Sequence, residues 1–198
     1  IFNDFVIAAR GERIFSAGST LLTTSIASST SMSGSGTIVV KSTDGFSSSG
    51  TLFINSEQFT YTGKSTTSFT GVTRSVNSTS AATHSANAVV SETWTTRDTG
   101  RTNATKYSFE KFNFDGNDKF IVVDGANDPT VFNTSLSATD VTESSVEGAK
   151  HVVAFKDHMF YSGMSSTPQE VVFSQPFDED AFSGGSGAGS CLLYTSPS

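Results

Sequence analysis

Cysteine, tryptophan, methionine, histidine and proline are all scarce in this chain: one, one, three, three and four residues among 198. The single cysteine, Cys191, gives no reading of redox compartment, and setting it aside leaves no zinc-ligand spacing. No run of 18 apolar residues occurs, which excludes a membrane-crossing helix. Apolar residues at helical spacing are also missing, apart from a weak case at Asp4–Arg13, so almost no helix is expected. Basic residues are few, 12 Lys and Arg against 19 Asp and Glu, for a net charge of -7. That balance disfavours a nucleic-acid binder that works by neutralising phosphates.

Phenylalanine is plentiful, at 17 residues, so aromatic burial is expected to carry much of the core. With 35% hydrophobic and 16% charged residues, the composition is globular at its polar end, and the length suits one or two domains. The opening "IFNDFVIAARGERIF" has no Met and carries charges where a signal peptide needs an apolar core, which predicts a chain that starts internally. The closing "CLLYTSPS" (191–198) resembles the translation of a transposase sequencing adapter. On that resemblance Cys191 is foreign to the natural protein, which is expected to continue past Ser190.

Three regions differ in texture. Residues 1–33 are expected to be an extended segment of the main β domain, ending in a Ser/Thr-rich connector. Residues 34–92 read as short strands: 37–41, 51–55, 57–63, 67–74 and 87–92. Asp44-Gly45 marks a turn, and Asn55-Ser56 a hairpin between the second and third strands. In that third strand Phe59 and Tyr61 share one face, Gln58 and Thr60 the other.

The stretch "GTLFINSEQFTYTGKSTTSFTGVTRSVNSTSAATHSANAVV" (50–90) resembles a small β module recurrent in bacteriophage tail and virion proteins. Ser75 and Ser78 stand where that family has glycine, so positive-φ turns there cost more than with glycine. The family assigns no catalytic residue here. Arg74 and His84 are expected to be internal hydrogen-bonding residues that tie down the loop joining the last two strands.

Residues 93–190 have a different grain. The pattern Tyr107, Phe109, then Phe112, Phe114 changes parity at Glu110-Lys111, which predicts a bulge or break. Strands are expected at 119–125, 129–133, 150–155, 158–163 and 169–176, with Lys156-Asp157 as a two-residue hairpin loop. Short strands without helices indicate an all-β sandwich, barrel or propeller. Phe155, His158, Phe160, Gly163, Pro168, Phe173, Ser174, Pro176, Asp178 and Phe182 match a pattern that resembles blades of phage tail nozzle and stopper propellers. The resemblance implies an all-β chain with partial β-propeller-like strand repeats carrying an inserted small antiparallel module.

Candidate chemistry is thin. "DGND" (115–118) and "DGAND" (124–128) offer oxygens for Ca²⁺, but lack the EF-hand register and are expected to be turns. "DED" (178–180) reads as a solvated loop. No serine sits in G-x-S-x-G, and His84, His151 and His158 lack diagnostic spacing to a carboxylate. Gly34 and Gly36 are not a phosphate loop. The sequons at Asn77, Asn103 and Asn133 have no secretory context, and "SGGSGAGS" (183–190) reads as a flexible loop. No catalytic, cofactor or metal residue is therefore assigned, and no enzyme is expected. The resemblance implies a virion structural protein: a homo-oligomeric ring of the nozzle or stopper kind, meeting neighbouring tail proteins and letting DNA pass without tight binding. The competing expectation is a tail-fibre or adhesin module that grips carbohydrate through exposed aromatics.

Overall fold

A computed structural model describes residues 2, 5–102, 104, 106–114, 116–183 and 187–193. The described chain is all-β, in antiparallel sheets and without a helix. Its strands are β1 (Phe5–Arg10), β2 (Arg13–Leu21), β3 (Ser33–Val39), β4 (Gly50–Ile54), β5 (Glu57–Tyr61), β6 (Gly63–Lys64), β7 (Ser68–Arg74), β8 (Val89–Glu92) and β9 (Thr95–Thr99). After these come β10 (Ser108–Phe114), β11 (Asn117–Val123), β12 (Thr130–Phe132), β13 (Ala138–Asp140), β14 (His151–Phe155), β15 (His158–Ser162), β16 (Glu170–Phe173) and β17 (Gly189–Leu192). Two compact units result: Ile1–Ala8 with Phe15–Thr96, and Ala9–Ile14 with Arg97–Ser198.

The first unit is built on a nine-stranded sheet in the order β1-β2-β8-β4-β5-β7-β3, with β6 on β7 and β9 on β2. The sheet curls until the extension of β2 meets that of β3 at the Leu22–Val40 bridge. There the Thr23 N–H donates to Val39 O at 3.1 Å and the Lys41 N–H to Leu21 O at 3.0 Å. Inside the curl lies one core, in which Leu52, Ile54, Phe59, Phe69, Val72 and Val90 are fully buried. Aromatic edges meet there: the Phe69 ring is 4.8 Å from Tyr61 and 4.9 Å from Phe46, within the range in which edge-to-face pairs add to burial.

The weak helical spacing at Asp4–Arg13, of which Asp4 lies outside the described residues, belongs from Phe5 onward to β1 and the turn into β2. The expected connector is instead β2 followed by a loop that sends Leu22, Ile26 and Met32 into the core. Its pattern is faint because several of β2's buried positions are small. A Cβ on Gly18 would come within 2.9 Å of both Gly45 O and the Phe46 ring, so the phenylalanine occupies the space a side chain would take. Small residues under a large one leave no hydrophobic alternation to read.

Strand β7 changes face midway. Phe69, Val72 and Arg74 are buried, a spacing that a regular strand cannot give because its sides alternate every residue. The extra residue is Gly71, skipped in the pairing with β3 (Gly36 opposite Val72, Thr37 opposite Thr70) and held at φ +62°. A left-handed glycine in one strand of an antiparallel pair is a G1-type bulge. A Cβ on it would overlap the Thr62 hydroxyl.

Ser75 and Ser78, with Asn77 between them, also have left-handed φ (57°, 64° and 53°). Non-glycine residues adopt this region at a cost of roughly 1–2 kcal/mol.

The second unit holds two four-stranded sheets, β10-β11-β12-β13 and β14-β15-β16-β17, each a meander in sequence order. Strand β14 runs beside β10 and β11. One face of each sheet enters a shared core: Phe112, Phe114, Ile121 and Val131 from the first, Val152, Met159, Tyr161 and Val172 from the second. The bulge expected at Glu110-Lys111 is absent. Pairing runs unbroken from Ser108–Val123 to Phe114–Asn117, and Phe109 points outward at 42% exposure. Reading Phe109 as a core residue created the apparent parity change. The Lys156-Asp157 loop is a two-residue hairpin with both residues at positive φ, 47° and 64°, the geometry that matches strand twist.

Two substitutions test this backbone. Gly71→Ala combines a strained φ with a clash and is expected to destabilise the first unit by about 3 kcal/mol. Ser78→Gly relieves strain at an exposed position, partly offset by a freer unfolded chain, for a net gain of about 0.5–1 kcal/mol. Urea denaturation monitored through β5 and β7 amide exchange measures both.

Candidate functional site

Three places concentrate chemistry among the described residues: a buried ionic cluster in the first unit, a second one in the other unit, and an uncovered apolar face on the last sheet.

In the first cluster, strand parity turns Glu57 to the same side as Phe59 and Tyr61, so its carboxylate lies in the core at 1% exposure. The Gly71 bulge turns Arg74 to meet it. Arg74 Nε donates to Glu57 Oε1 and Nη2 to Oε2, both at 2.8 Å. Nη1 donates to Ala27 O and Thr30 O, and Nη2 also to Ala82 O, at 2.8–2.9 Å. All five guanidinium N–H groups are thereby used. Glu57 Oε2 further accepts the Ala82 N–H at 2.9 Å and His84 Nε2 at 2.8 Å.

The other His84 nitrogen, Nδ1, lies 3.3 Å from Asn55 Nδ2, which can only donate. Nδ1 is therefore the acceptor and Nε2 carries the proton. Burial alone would raise the Glu57 carboxyl, but Arg74, the Ala82 N–H and His84 outweigh it and bring it down to about 2. The cluster is closed on every side by its own partners. Arg74 and His84 thus fasten the 27–30 and 75–84 loops to the sheet.

The second cluster repeats the device. Arg101 Nε donates to Asp124 Oδ2 at 2.7 Å, Nη1 to Asp98 Oδ2 at 2.9 Å, and Nη2 to Asp128 O at 3.2 Å. Asp124 Oδ1 accepts the Ala126 and Asn127 N–H groups at 3.0 and 2.9 Å. The "DGAND" carboxylate therefore closes its own turn and pairs with arginine. Beside it is a polar cavity of about 300 Å³ that includes Asp128, Asp140 and Glu147. Burial, with Glu147 and Asp140 nearby, raises the Asp128 carboxyl.

Other sequence candidates fall in different places. Asp115 of "DGND" lies outside the described residues, as do Asn103, residues 184–186 and residues 194–198; Asp118 accepts from Asn113 Nδ2 at 2.6 Å. In "DED", Asp178 and Asp180 are exposed while Glu179 pairs with Lys119. His158 Nδ1 is 2.6 Å from Ser174 O, and the Ser174 hydroxyl donates to Gln175 O at 2.9 Å. The serine and imidazole are adjacent but not aimed at each other. His151 is exposed at the end of β14. Cys191 lies on β17 opposite Val171, exposed.

The apolar face is the feature that periodicity did not isolate. Val153, Phe155, Phe160, Val171 and Phe173 fall on the side of β14–β16 opposite the core, as their pairing requires. Val153 and Phe155 are 49% and 59% exposed. Phe160 lies 5.5 Å from Phe173 and 6.5 Å from Phe155, and the cleft over the strands measures about 490 Å³. Its sequence signal is that "HVVAF" is apolar at both parities, which marks a strand with two apolar faces.

Removing either partner of the first cluster tests its role. Arg74→Met strands a buried carboxylate and is expected to cost about 3–5 kcal/mol. The Glu57 carboxyl is depressed on folding, so its contribution is complete above the unfolded value of about 4.3 and drains as pH falls toward 2, a change of order 3 kcal/mol. The stability gap between the parent and Glu57→Gln is therefore expected to narrow from pH 5 to pH 2. A gap independent of pH in urea titrations would contradict this account.

No protein-family model, curated protein or solved structure matches this chain.

Proposed function

We propose that the chain is part of a structural component of a phage tail, a nozzle- or stopper-like ring at the DNA exit channel. In this reading the two four-stranded sheets are blades of a β-propeller, residues 34–92 are an inserted small module, and the protein is a non-enzymatic part of the virion. The observation that carries the reading is the pair of successive four-stranded antiparallel meanders, with β14 beside β10 and the core between them. Radial repetition of such sheets is how propellers are made. Many functions use that architecture, so the tail assignment leans on the motif resemblances at 50–90 and 155–182.

Charge supports a conduit. The net charge is -7, and Arg74 and Arg101 are spent inside the protein while Lys119 pairs with Glu179. Each exposed cation on a channel wall would neutralise a phosphate and add salt-sensitive affinity. Exposed carboxylates such as Asp178 and Asp180 would instead repel the duplex. Ring closure would come from heterologous contacts between copies. A carbohydrate-binding tail-fibre or adhesin module is the second reading, favoured by Trp94, which is half exposed and of the type that stacks on sugars.

The expected outcome is a ring by light scattering, formed alone or with the neighbouring tail protein, and no binding of duplex DNA near physiological salt. Tight DNA binding, or a stable monomer retained on a glycan array, would overturn the ring.

A further inference from the structure

The two sheets of the second unit are related by register, and the relation assigns a role to the apolar face. Each begins with a hairpin, closed by Phe114–Asn117 in the first sheet and by Phe155–His158 in the second. Superposing these closing pairs puts Phe112 on Val153, Phe114 on Phe155, and Lys119 on Phe160. One strand further, Val131 pairs with Ile121 and Val171 with Ser162, so Val131 falls on Val171. Phe112, Phe114, Ile121 and Val131 form the face that the first sheet turns toward the second. Their counterparts on the second sheet form its uncovered face. Alternation along the strand fixes this equivalence, because residues at matching distances from a hairpin point to the same side.

The first sheet's forward face is covered by a mostly smaller apolar set on the second, Val152, Ala154, Met159 and Val172, with one large member, Tyr161. We propose that the outward face of β14–β16 is the seat of a third four-stranded antiparallel sheet, in tandem with the first two and presenting the same kind of smaller apolar face. This rests on the stacked-sheet part of the proposed function and is independent of the tail assignment. A small-molecule site would carry a few convergent polar groups, whereas the centre of this face is Val153, Phe155, Phe160 and Val171. A second copy offers no matching face, since its own Val152–Ala154–Met159–Val172 surface is already covered. Sheets packed face to face interdigitate side chains across about 10 Å, which suits the protruding Phe155 and Phe160.

The test repeats residues 142–193 once in tandem, so that the repeat's smaller apolar face can meet the seat. With Cys191→Ser throughout, Phe155→Cys in the original sheet reports cover by its maleimide labelling rate. Labelling at least tenfold slower in the tandem chain than in the single chain is expected, and Val153→Lys in the original sheet should restore the fast rate. Equal rates beside a repeat whose amides resist exchange would overturn the proposal. A second arm uses the single chain, where Phe155→Lys should leave a monomer with a midpoint within about 2 °C of the parent, less than the shift of a lost packing contact. A parent dimer dispersed by Phe155→Lys would overturn it in favour of a second copy. A midpoint lowered by several degrees would overturn it by showing the face already covered. A slowed thiol in a protein that forms no ring would sink the tail reading alone.

Discussion

A guanidinium buried with a carboxylate holds each unit together. Long loops of serine, threonine, asparagine and glycine have too little apolar surface to be pinned by burial, so their backbones must be held by hydrogen bonds. Arg74 does this for three carbonyls, at Ala27, Thr30 and Ala82, while Glu57 neutralises it from below. Arg101 serves the turn at 124–128 in the same manner, with Asp124 as its partner. The penalty of burying such charges is offset only when geometry and satisfaction are nearly complete. Both conditions hold at the first cluster, where every guanidinium N–H is used. An arginine there is not replaceable by lysine, which has a point charge and no planar fork.

Strand parity connects that chemistry to the fold. In β5 the same alternation that buries Phe59 and Tyr61 also buries Glu57. In β7 a regular strand would leave Arg74 on the wrong side, and the single extra residue at Gly71 corrects it. The bulge, the glycine and the ion pair are one arrangement: the glycine permits the left-handed φ, the φ shifts the register, and the register aims the arginine.

The other unit is organised by how its two sheets stack. Its two meanders share a core on one side, and the second keeps an apolar surface on the other. Large exposed apolar surfaces on soluble proteins mark places where another surface belongs. The proposed ring component would use such stacking for its body and leave its acidic loops to face the channel. In this reading function resides in shape, charge and assembly.

Much of the fold was legible in the strand patterns. The 51–55 and 57–63 hairpin, the run at 119–125, and the pair of strands around Lys156-Asp157 follow from alternation and turn residues alone, because those signals are local. The facing of Phe59 and Tyr61 was legible for the same reason. Strands β1, β2, β9, β13 and β17 were not: β1 has a spacing that also suits a helix, β2 is lined by small residues beneath Phe46, β9 is a polar run with no apolar alternation, β13 is exposed along its whole length, and β17 pairs through its backbone while Cys191 and Leu192 stay in solvent. The acidic character of Glu57 concealed its place in the core, since a carboxylate is read as surface until its partner is known. That partner is 17 positions away and faces it only after the bulge. Local patterns were enough to say which residues alternate, where the chain turns and that almost no helix forms. Which carboxylates meet which arginines, and which apolar face stays uncovered, came only with the folded chain, because those depend on register between distant strands and on how sheets stack.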